Sequence, residues 1–245
     1  MNSRHMVAPM MTMTILAPRR EAMTHEEFRT YLLDVHGPLV RSITEVAAEI
    51  RRYTYNFPRL GETDLAFGHP LADLDVITQG IFDSREAQLD NMKHERFKEF
   101  LRPDEANFAD TKRAVMHYTD QHVVIDGPTT DTKVFYLRRR RPGLDRVAFQ
   151  ADWLARFPRS IAAFANLGDV VSRYVQNHVQ AEEHHPDGSS AKFYDVIDEL
   201  WIRDSSALAL LADADALTGV RTLEAELLAT ARTRSFVAES VVNIG

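Results

Sequence analysis

The apolar positions of residues 26–43 recur with the period of an amphipathic helix. They form one helical stripe, consisting of Phe28, Leu32, Val35 and Leu39. Thr24 precedes this run and Glu27 lies three residues further on, which is the arrangement of a capping box. The pattern predicts a helix with one buried face. We expect this helix to end at His36, because Gly37–Pro38 follows at once.

Short runs with strand-like alternation divide the rest of the first half. The predicted order is a strand within 13–20, the helix, strands at Arg52–Phe57 and about Asp75–Phe82, a helix at about Arg85–Phe100, and a strand that holds Val123–Ile125. This βαββαβ order is that of a ferredoxin-like unit.

The same elements recur in the second half of the chain. Matching positions keep their register, namely Tyr53 with Tyr174, Asn56 with Asn177, and Asp75 with Asp195. A tandem duplication explains this recurrence. We predict one unit over residues 10–128 and a second, diverged unit over 129–245. Residues 1–9 are predicted to be disordered or left over from cloning.

The duplication predicts how the two units pack. A ferredoxin-like unit carries its helices on one face of its sheet and leaves the other face bare. Two units in one chain bury both bare faces if the sheets pack together. The expected fold class is therefore α+β, with two βαββαβ units packed sheet to sheet as a barrel within one chain.

Composition narrows the functional classes. The chain is 44% hydrophobic and 27% charged, with a formal net charge of −7. The negative charge argues against nucleic acid as a partner, and no apolar run is long enough to span a membrane. Cysteine is absent, which excludes disulfides and thiolate chemistry. We expect a cytoplasmic protein, since the N-terminus lacks the apolar core of a signal peptide.

Strand alternation assigns polar side chains to faces of the sheet. The residues predicted to bind substrate are Tyr55, Gln79, Tyr174, Asp195, Glu199 and Trp201. Asp75 and Gln79 are expected to point into the barrel. Buried polar groups are costly unless they pair or meet a ligand, and aromatic walls with convergent polar groups are typical of a small-molecule pocket.

Each candidate also has a structural explanation. His36 could be a cation at a helix C-terminus, and His178 could be a solvated residue at a strand end. Tyr53 could be a core aromatic residue. Asp75 could cap the start of its strand rather than act as a base, and Asn56 could fix a turn.

Other features of the sequence say less about the function of the protein. The arginine run 138–141 is expected to be a solvated edge that discourages strand pairing, with attraction of an anionic substrate as the alternative. The acidic and histidine-containing stretch 182–190 is interpreted as a loop without a metal. No HExxH, Walker or GxGxxG motif is present, so no metal and no cofactor is expected.

The combination of His-Gly-Pro-Leu at 36–39 with Arg-Tyr-x-x-Asn at 52–56 resembles the EthD-type members of the dimeric α+β barrel superfamily. Arg-Tyr-x-x-Asn recurs at 173–177. The resemblance implies two ferredoxin-like units that pack as a barrel, with pockets inside the barrel or between sheet and helices. Related families include cofactor-free monooxygenases, muconolactone-type isomerases, and lyases or dehydratases.

The resulting hypothesis is a cofactor-independent lyase or isomerase that acts on a small cyclic or aromatic molecule by proton transfer. His36 would be the general acid or base, because its pKa lies near neutral pH. Tyr53 or Tyr55 would stabilise an oxyanion and Asp75 would orient the imidazole. His178 with Asp195 or Glu199 offers a rival catalytic pair in the second half.

Two alternatives stay open. A cofactor-free monooxygenase of a phenolic or polyketide substrate would use the same base to form an electron-rich anion. A non-catalytic ligand-binding protein is the other alternative, since the second unit carries Phe157-Pro158 where the first carries His36-Gly37. The expected partners are a small-molecule substrate and, for assembly, a second copy in a homodimer.

Overall fold

A computed structural model describes residues 11–59, 65, 69–70, 74–162, 167–180, 194–213 and 217–245. The region predicted to be disordered at the N-terminus and the acidic and histidine-containing stretch 182–190 lie outside these residues. Within them, no helix is both long enough and apolar enough to cross a membrane.

The strands form one sheet that closes on itself. The strands are β1 Met11–Ala17, β2 Arg52–Pro58, β3 His69–Pro70, β4 Val76–Phe82, β5 Val115–Ile125, β6 Thr132–Arg138, β7 Val171–Val179, β8 Val196–Ile202 and β9 Arg234–Ile244. Their order is β2-β4-β1-β5-β7-β8-β6-β9-β3, and a pairing of β2 with β9 closes the barrel. Among the described strands longer than two residues, closure leaves none with an unpaired edge.

The helices lie outside this barrel. They are α1 His25–Tyr31, α2 Gly37–Ser42, α3 Thr44–Ala47, α4 Arg85–Asn91, α5 Arg102–Phe108, α6 Arg146–Ala162, α7 Leu167–Val170, α8 Ser205–Ala212 and α9 Thr218–Leu227. Two π-helical turns, Leu32–His36 and Phe97–Leu101, precede α2 and α5, and a 3₁₀ turn covers Thr230–Arg232.

The strand order is the same in the two halves of the chain. The first half runs β2-β4-β1-β5 and the second runs β7-β8-β6-β9, and the pairings β5–β7 and β2–β9 join them. The strand register is the same in the two halves as well. Thr14 on β1 lies opposite Gln79 on β4, and Phe135, at the equivalent position on β6, lies opposite Glu199 on β8. The predicted α+β fold class is confirmed. The boundary between residues 128 and 129 stays a prediction.

Three apolar clusters hold the molecule together. One lies between the first-half strands and their helices and includes Phe28 and Tyr55. Its counterpart in the second half includes Trp153 and Tyr174. The third lies inside the barrel, with Ile77 among its residues. Each fully buried large side chain contributes roughly 1.5–3 kcal/mol, and several of the largest, Trp153, Tyr55 and Tyr174, lie in the two clusters outside the barrel.

The capping box predicted at the first helix is confirmed. The Thr24 hydroxyl accepts a hydrogen bond from the Glu27 N–H at 3.2 Å, and the Glu27 carboxylate accepts one from the Thr24 N–H at 2.8 Å. The predicted end of the helix at His36 is wrong. The chain continues through a π turn into α2, because the wider turn accommodates the ring of Pro38.

The expectation of a solvated arginine run is also wrong for its first member. Arg138 lies fully buried on β6, which pairs with strands on both sides. Its Nε donates to Asp198 at 3.0 Å and its Nη1 contacts Glu224. Arg140 pairs with Asp195. Buried acids on β8, on α9 and just before β8 therefore hold these cations, which the local sequence does not reveal.

Candidate active site

A cavity of about 260 Å³ lies between the first-half sheet and the helices that cover it. Strands β1, β2 and β4 form its floor, and the two π turns with α4 and α5 form its walls. Most of the lining is apolar. The polar lining includes His36, Tyr53, Tyr55, Gln88 and Glu105. A small, mainly apolar cavity with a few polar groups is typical of a site for a small organic molecule.

His36 forms a pair with Asp104 beside this cavity. The Nδ1 of the buried imidazole lies 2.8 Å from Oδ2 of Asp104. The Tyr31 hydroxyl donates to Oδ1 of the same carboxylate at 2.6 Å, and the Asn107 amide donates to it at 3.2 Å. The Phe108 ring packs against the imidazole, with 4.8 Å between the ring centroids. These contacts fix the orientation of the imidazole.

The electrostatics of this pair favour a neutral imidazole. Burial lowers the pKa of His36, although the hydrogen bond and charge of Asp104 act in the opposite direction. Burial alone would raise the pKa of Asp104, but hydrogen bonds from Tyr31, His36 and Asn107 outweigh it, so that pKa lies below its usual value. An ionised Asp104 accepts a hydrogen bond from Nδ1–H of His36. The basic lone pair of the neutral imidazole is then on Nε2.

Tyr53 and Tyr55 supply phenol groups to the same cavity. Burial raises the pKa of both hydroxyls far above their usual value, so both side chains stay neutral hydrogen-bond donors. The buried Tyr55 hydroxyl meets no group in full hydrogen-bond geometry among the residues that the structure describes, although the Tyr53 side chain lies beside it. An unpaired buried hydroxyl costs free energy unless a ligand pairs with it.

Glu105 is a third titratable group that lines the cavity. Burial raises the pKa of its carboxyl group, and the neighbouring Arg102, whose Nη1 lies 2.9 Å away, opposes this shift. A carboxyl group with a raised pKa can keep a proton at a higher pH than an exposed glutamate. Glu105 is therefore a candidate proton donor to a leaving group.

The π turn explains how the sequence places His36 at the cavity. The Gly37 N–H donates to the carbonyl of Leu32, one residue further back than in an α-helix. A side chain at Gly37 would meet Leu32 O at 2.9 Å and Asn243 Oδ1 at 2.7 Å. Glycine is required there because helix α2 packs closely against the end of β9. Such turns are frequent at functional sites.

The expectation that Asp75 orients His36 is wrong. Its carboxylate pairs with Arg19 at 2.6 Å and lies 2.7 Å from Nδ1 of His25. Asp195, at the equivalent position, pairs with Arg140 in the second half. The same arrangement in both halves identifies these acids as anchors: Asp75 holds the start of β4 to the end of β1, and Asp195 holds the start of β8 to the end of β6. The alternative explanation of Asp75 as a strand-start cap is the better one.

The rival catalytic pair of the second half does not form either. The ring of His178 lies 4.3 Å from that of His122, and its Nε2 lies 3.1 Å from the Gln176 side-chain oxygen. Asp195 and Glu199 have other partners. Burial, together with the neighbouring His122, lowers the pKa of His178 to about 3. His178 lies on the helix-covered face with Tyr174, whereas Glu199 points into the barrel.

The second half fills the volume that is open in the first. Arg138 occupies the strand position equivalent to Ala17, and Trp153 and Phe157 correspond in sequence to Leu32 and His36. Larger side chains thus replace smaller ones. Trp153 stacks on Phe157 with 4.3 Å between centroids. Tyr174, at the position of Tyr53, donates to Asp198 at 2.9 Å within this packed layer.

Gln79, Glu199 and Trp201 line a different cavity, of about 610 Å³, inside the barrel. The inward direction predicted for Gln79 is correct. Asn56 also points inward and donates to the Ile77 carbonyl at 2.7 Å. The structure therefore separates the predicted site residues. His36, Tyr53 and Tyr55 lie on one side of the first-half sheet, and Gln79 lies on the other.

Sequence reasoning missed Asp104, Glu105 and Tyr31. A signal for Asp104 was present, because Leu101, Asp104 and Phe108 share one helical stripe. An acid on an otherwise apolar stripe needs a buried partner. Among the described residues, no group of three or more histidines and acids is placed to hold a metal ion.

Comparison with known proteins shows to which family this chain belongs. The EthD domain matches residues 20–112, which include His36, Tyr53, Tyr55 and Asp104. The conidial pigment biosynthesis dehydratase EthD of Metarhizium robertsii is 31% identical over 112 residues, or 44% of this chain and 79% of that protein. The chain belongs to the EthD family. The family resemblance inferred from the sequence is thus confirmed.

Other EthD relatives are named as enzymes of the same kind. The dehydratase aurZ of Gibberella zeae is 34% identical over 110 residues, covering 42% of this chain and 72% of the relative. The decarboxylase claH of Passalora fulva is 30% identical over 122 residues, covering 47% of this chain and 78% of the relative. Both names denote lyase-type reactions.

Solved structures extend the similarity over both halves of this EthD protein. An anthrone oxidase-like protein superposes with a TM-score of 0.62 at 12% identity, covering 95% of this chain and 91% of its own. A mutant chlorite dismutase from Candidatus Nitrospira defluvii has a TM-score of 0.52 at 10% identity, covering 94% and 91%. These likenesses show the fold alone.

Proposed function

We propose that this protein is a lyase that eliminates water or carbon dioxide from a small cyclic or aromatic molecule, with the first-half cavity as its active site. The observation that carries the proposal is the buried His36–Asp104 pair beside a cavity that also holds an unpaired Tyr55 hydroxyl. The relatives named dehydratase and decarboxylase support the reaction class.

The geometry supports a specific sequence of proton transfers for dehydration. Nε2 of His36 removes a proton from the carbon next to a carbonyl group, and Asp104 stabilises the imidazolium that forms. Tyr55 donates a hydrogen bond to the enolate oxygen. The leaving hydroxyl takes a proton from the imidazolium or from Glu105 and departs as water. The imidazolium gives its proton to the leaving hydroxyl or, where Glu105 was the donor, to the Glu105 carboxylate directly or through solvent, so the enzyme ends the cycle unchanged.

A model substrate tests this reaction directly. 3-Hydroxy-1-tetralone loses one water molecule to give 1-naphthol, which ultraviolet absorbance follows. We expect wild-type protein to accelerate this loss and His36→Gln to slow it by about 100-fold or more, since general base catalysis contributes 10²–10⁴. His94→Gln, which changes a partly exposed histidine outside the cavity, is the matched control.

The same assay separates the remaining candidates. Equal rates for wild type and His36→Gln would show that His36 is not the base. A loss of rate in His178→Gln alone would place the chemistry in the second half. Oxygen consumption measured with an electrode during turnover would favour the monooxygenase alternative over a lyase. Saturable binding without turnover by any of these substrates would favour a ligand-binding protein.

A further inference from the structure

The barrel cavity lies where equivalent positions of the two halves face each other. Its lining contains matched pairs from the two halves, namely Thr12 with Lys133, Arg52 with Arg173, Thr54 with Val175, Gln79 with Glu199, and Ile81 with Trp201. The cavity is therefore built on the internal two-fold relation of the chain. It is separate from the His36 cavity, because the first-half sheet lies between them.

Divergence of the halves has made this cavity asymmetric. Gln79 donates to Oε1 of Glu199 at 2.5 Å, and Lys133 donates to Oε2 of Glu199 at 2.9 Å and to Gln79 at 3.1 Å. Asn177 donates to Glu199 at 2.6 Å. Two glutamates facing each other would repel. A duplicated chain can instead place one acid, one amide and one lysine there, which gives a neutral, fully paired floor.

Above this floor the lining carries more positive than negative charge. Arg51 pairs with the exposed Asp83, and Arg173 pairs with Asp126, whose side chain is 86% exposed. Arg52 is half-buried and has no ion pair within the described part of the chain. Asp131 is an exposed acid at the mouth.

Two of the cations that line the cavity, Lys133 and Arg173, lie close to the ring of Trp201. Nζ of Lys133 lies 4.4 Å from the centroid of Trp201, and the Arg173 guanidinium lies 5.7 Å from it. Burial lowers the pKa of Lys133, Glu199 opposes this, and the charges of Arg52 and Arg173 lower it further. Arg52 and Arg173 thus lie close enough to Lys133 for their positive charges to act on it. An anion in the cavity would relieve that repulsion.

We propose that this barrel cavity is a second ligand site, one that binds a small aromatic carboxylate. Arg52 and Arg173 supply the charge for the carboxylate group, and Trp201 supplies an apolar surface for the ring. The volume of about 610 Å³ is in the range of small-molecule sites. The site takes part in no step of the proposed elimination, because no residue that lines it also lines the His36 cavity.

Isothermal titration calorimetry with benzoate and 2-naphthoate tests the proposal, with benzamide as the uncharged analogue of benzoate. We expect one carboxylate per chain to bind and benzamide to bind at least tenfold more weakly. Arg52→Gln should weaken carboxylate binding by about tenfold or more, since a hydrogen bond to a charged group is lost. Trp201→Leu should weaken 2-naphthoate more than benzoate.

Variants of the other cavity separate this proposal from the proposed function. His36→Gln and Tyr55→Phe should leave carboxylate affinity unchanged. If these two variants lose the affinity and Arg52→Gln keeps it, the carboxylate binds in the His36 cavity and the proposal is wrong. It is also wrong if neither carboxylate binds at millimolar concentration. Thermal unfolding of each variant verifies that the protein is folded. Both results that would overturn the proposal are measured as binding, so they do not depend on whether the protein turns over the tetralone.

Discussion

Nδ1 of His36 lies 2.8 Å from Oδ2 of Asp104, although 68 positions separate the two residues in the chain. The π turn before α2 supplies the histidine and the first turn of α5 supplies the acid. Neither residue alone makes a proton-transfer site. The contact between them assigns one tautomer to the imidazole and leaves Nε2 as its basic nitrogen.

Replacing the acid of this pair should impair catalysis. Asp104→Asn keeps the shape of the side chain but loses the charge that stabilises the imidazolium, so we expect kcat to fall by about 100-fold. Steady-state kinetics with the tetralone measures this. Asp75→Asn is the matched control and should leave kcat unchanged, because Asp75 anchors Arg19. An equal loss in both variants would refute the role given to Asp104.

The pH dependence of activity should report on the same pair. A general base must be unprotonated, so kcat/KM falls as the pH drops through the pKa of His36. Burial lowers that pKa from 6.5, and we therefore expect the acid limb of the profile below pH 6.5. Asp104→Asn should move this limb to still lower pH, because the hydrogen bond and charge of Asp104 raise the pKa of His36. A limb that moves to higher pH contradicts this assignment.

Tyr55→Phe should separate catalysis from stability. The hydroxyl is buried without a hydrogen-bond partner among the described residues, so removing it should leave the free energy of unfolding unchanged or raise it by about 1 kcal/mol. The rate should nevertheless fall by about tenfold or more, because the enolate loses its donor. Urea unfolding and steady-state kinetics on the same samples provide both values. A destabilised variant with full activity would contradict both expectations.

His178 should make the folded state sensitive to acid. Its pKa is lowered from 6.5 to about 3, so between these values the unfolded chain binds a proton that the folded chain does not. The contribution of His178 to the free energy of unfolding is therefore fully present above pH 6.5 and decreases as the pH falls. The loss from this group is about 2 kcal/mol at pH 5. Urea unfolding between pH 7 and 5 should show a smaller loss for His178→Gln than for His94→Gln.

Arg138 should be essential for stability. Arg138→Met leaves Asp198 and Glu224 buried without their cation, which should cost about 3–5 kcal/mol. Arg140→Met should cost less, because Arg140 is partly exposed and Asp195 keeps a second cation, Arg146, at 3.4 Å. Urea unfolding compares the two variants.

A compensated variant checks the cause of that loss. Adding Asp198→Asn and Glu224→Gln to Arg138→Met removes the unpaired charges and should restore part of the stability. No recovery in this triple variant would show that Arg138 acts through packing against Trp153 and Phe157 rather than through its charge.

Local patterns were sufficient for part of the site. The capping box and the stripe positions Phe28 and Leu32 are confirmed, whereas Val35, predicted on the same buried face, is 45% exposed. Strand alternation placed Gln79 inside the barrel and the two tyrosines of β2 together. These features follow from the periods of helix and strand, which act over a few residues. The repeat of Tyr53 and Asn56 in the second half similarly predicted the packing of two sheets.

The sequence by itself determined the α+β fold class, the repeated order of elements and the capped helix that leads to His36. Only the tertiary structure decided that Asp104, and not Asp75, is the partner of His36. It likewise decided that Arg138 is buried and that the polar candidates divide between two cavities. The physical reason is that ion pairs and cavities depend on which side chains meet when the barrel closes. Contacts between residues that are far apart in the sequence do not produce a repeating pattern of apolar and polar positions from which they could be predicted.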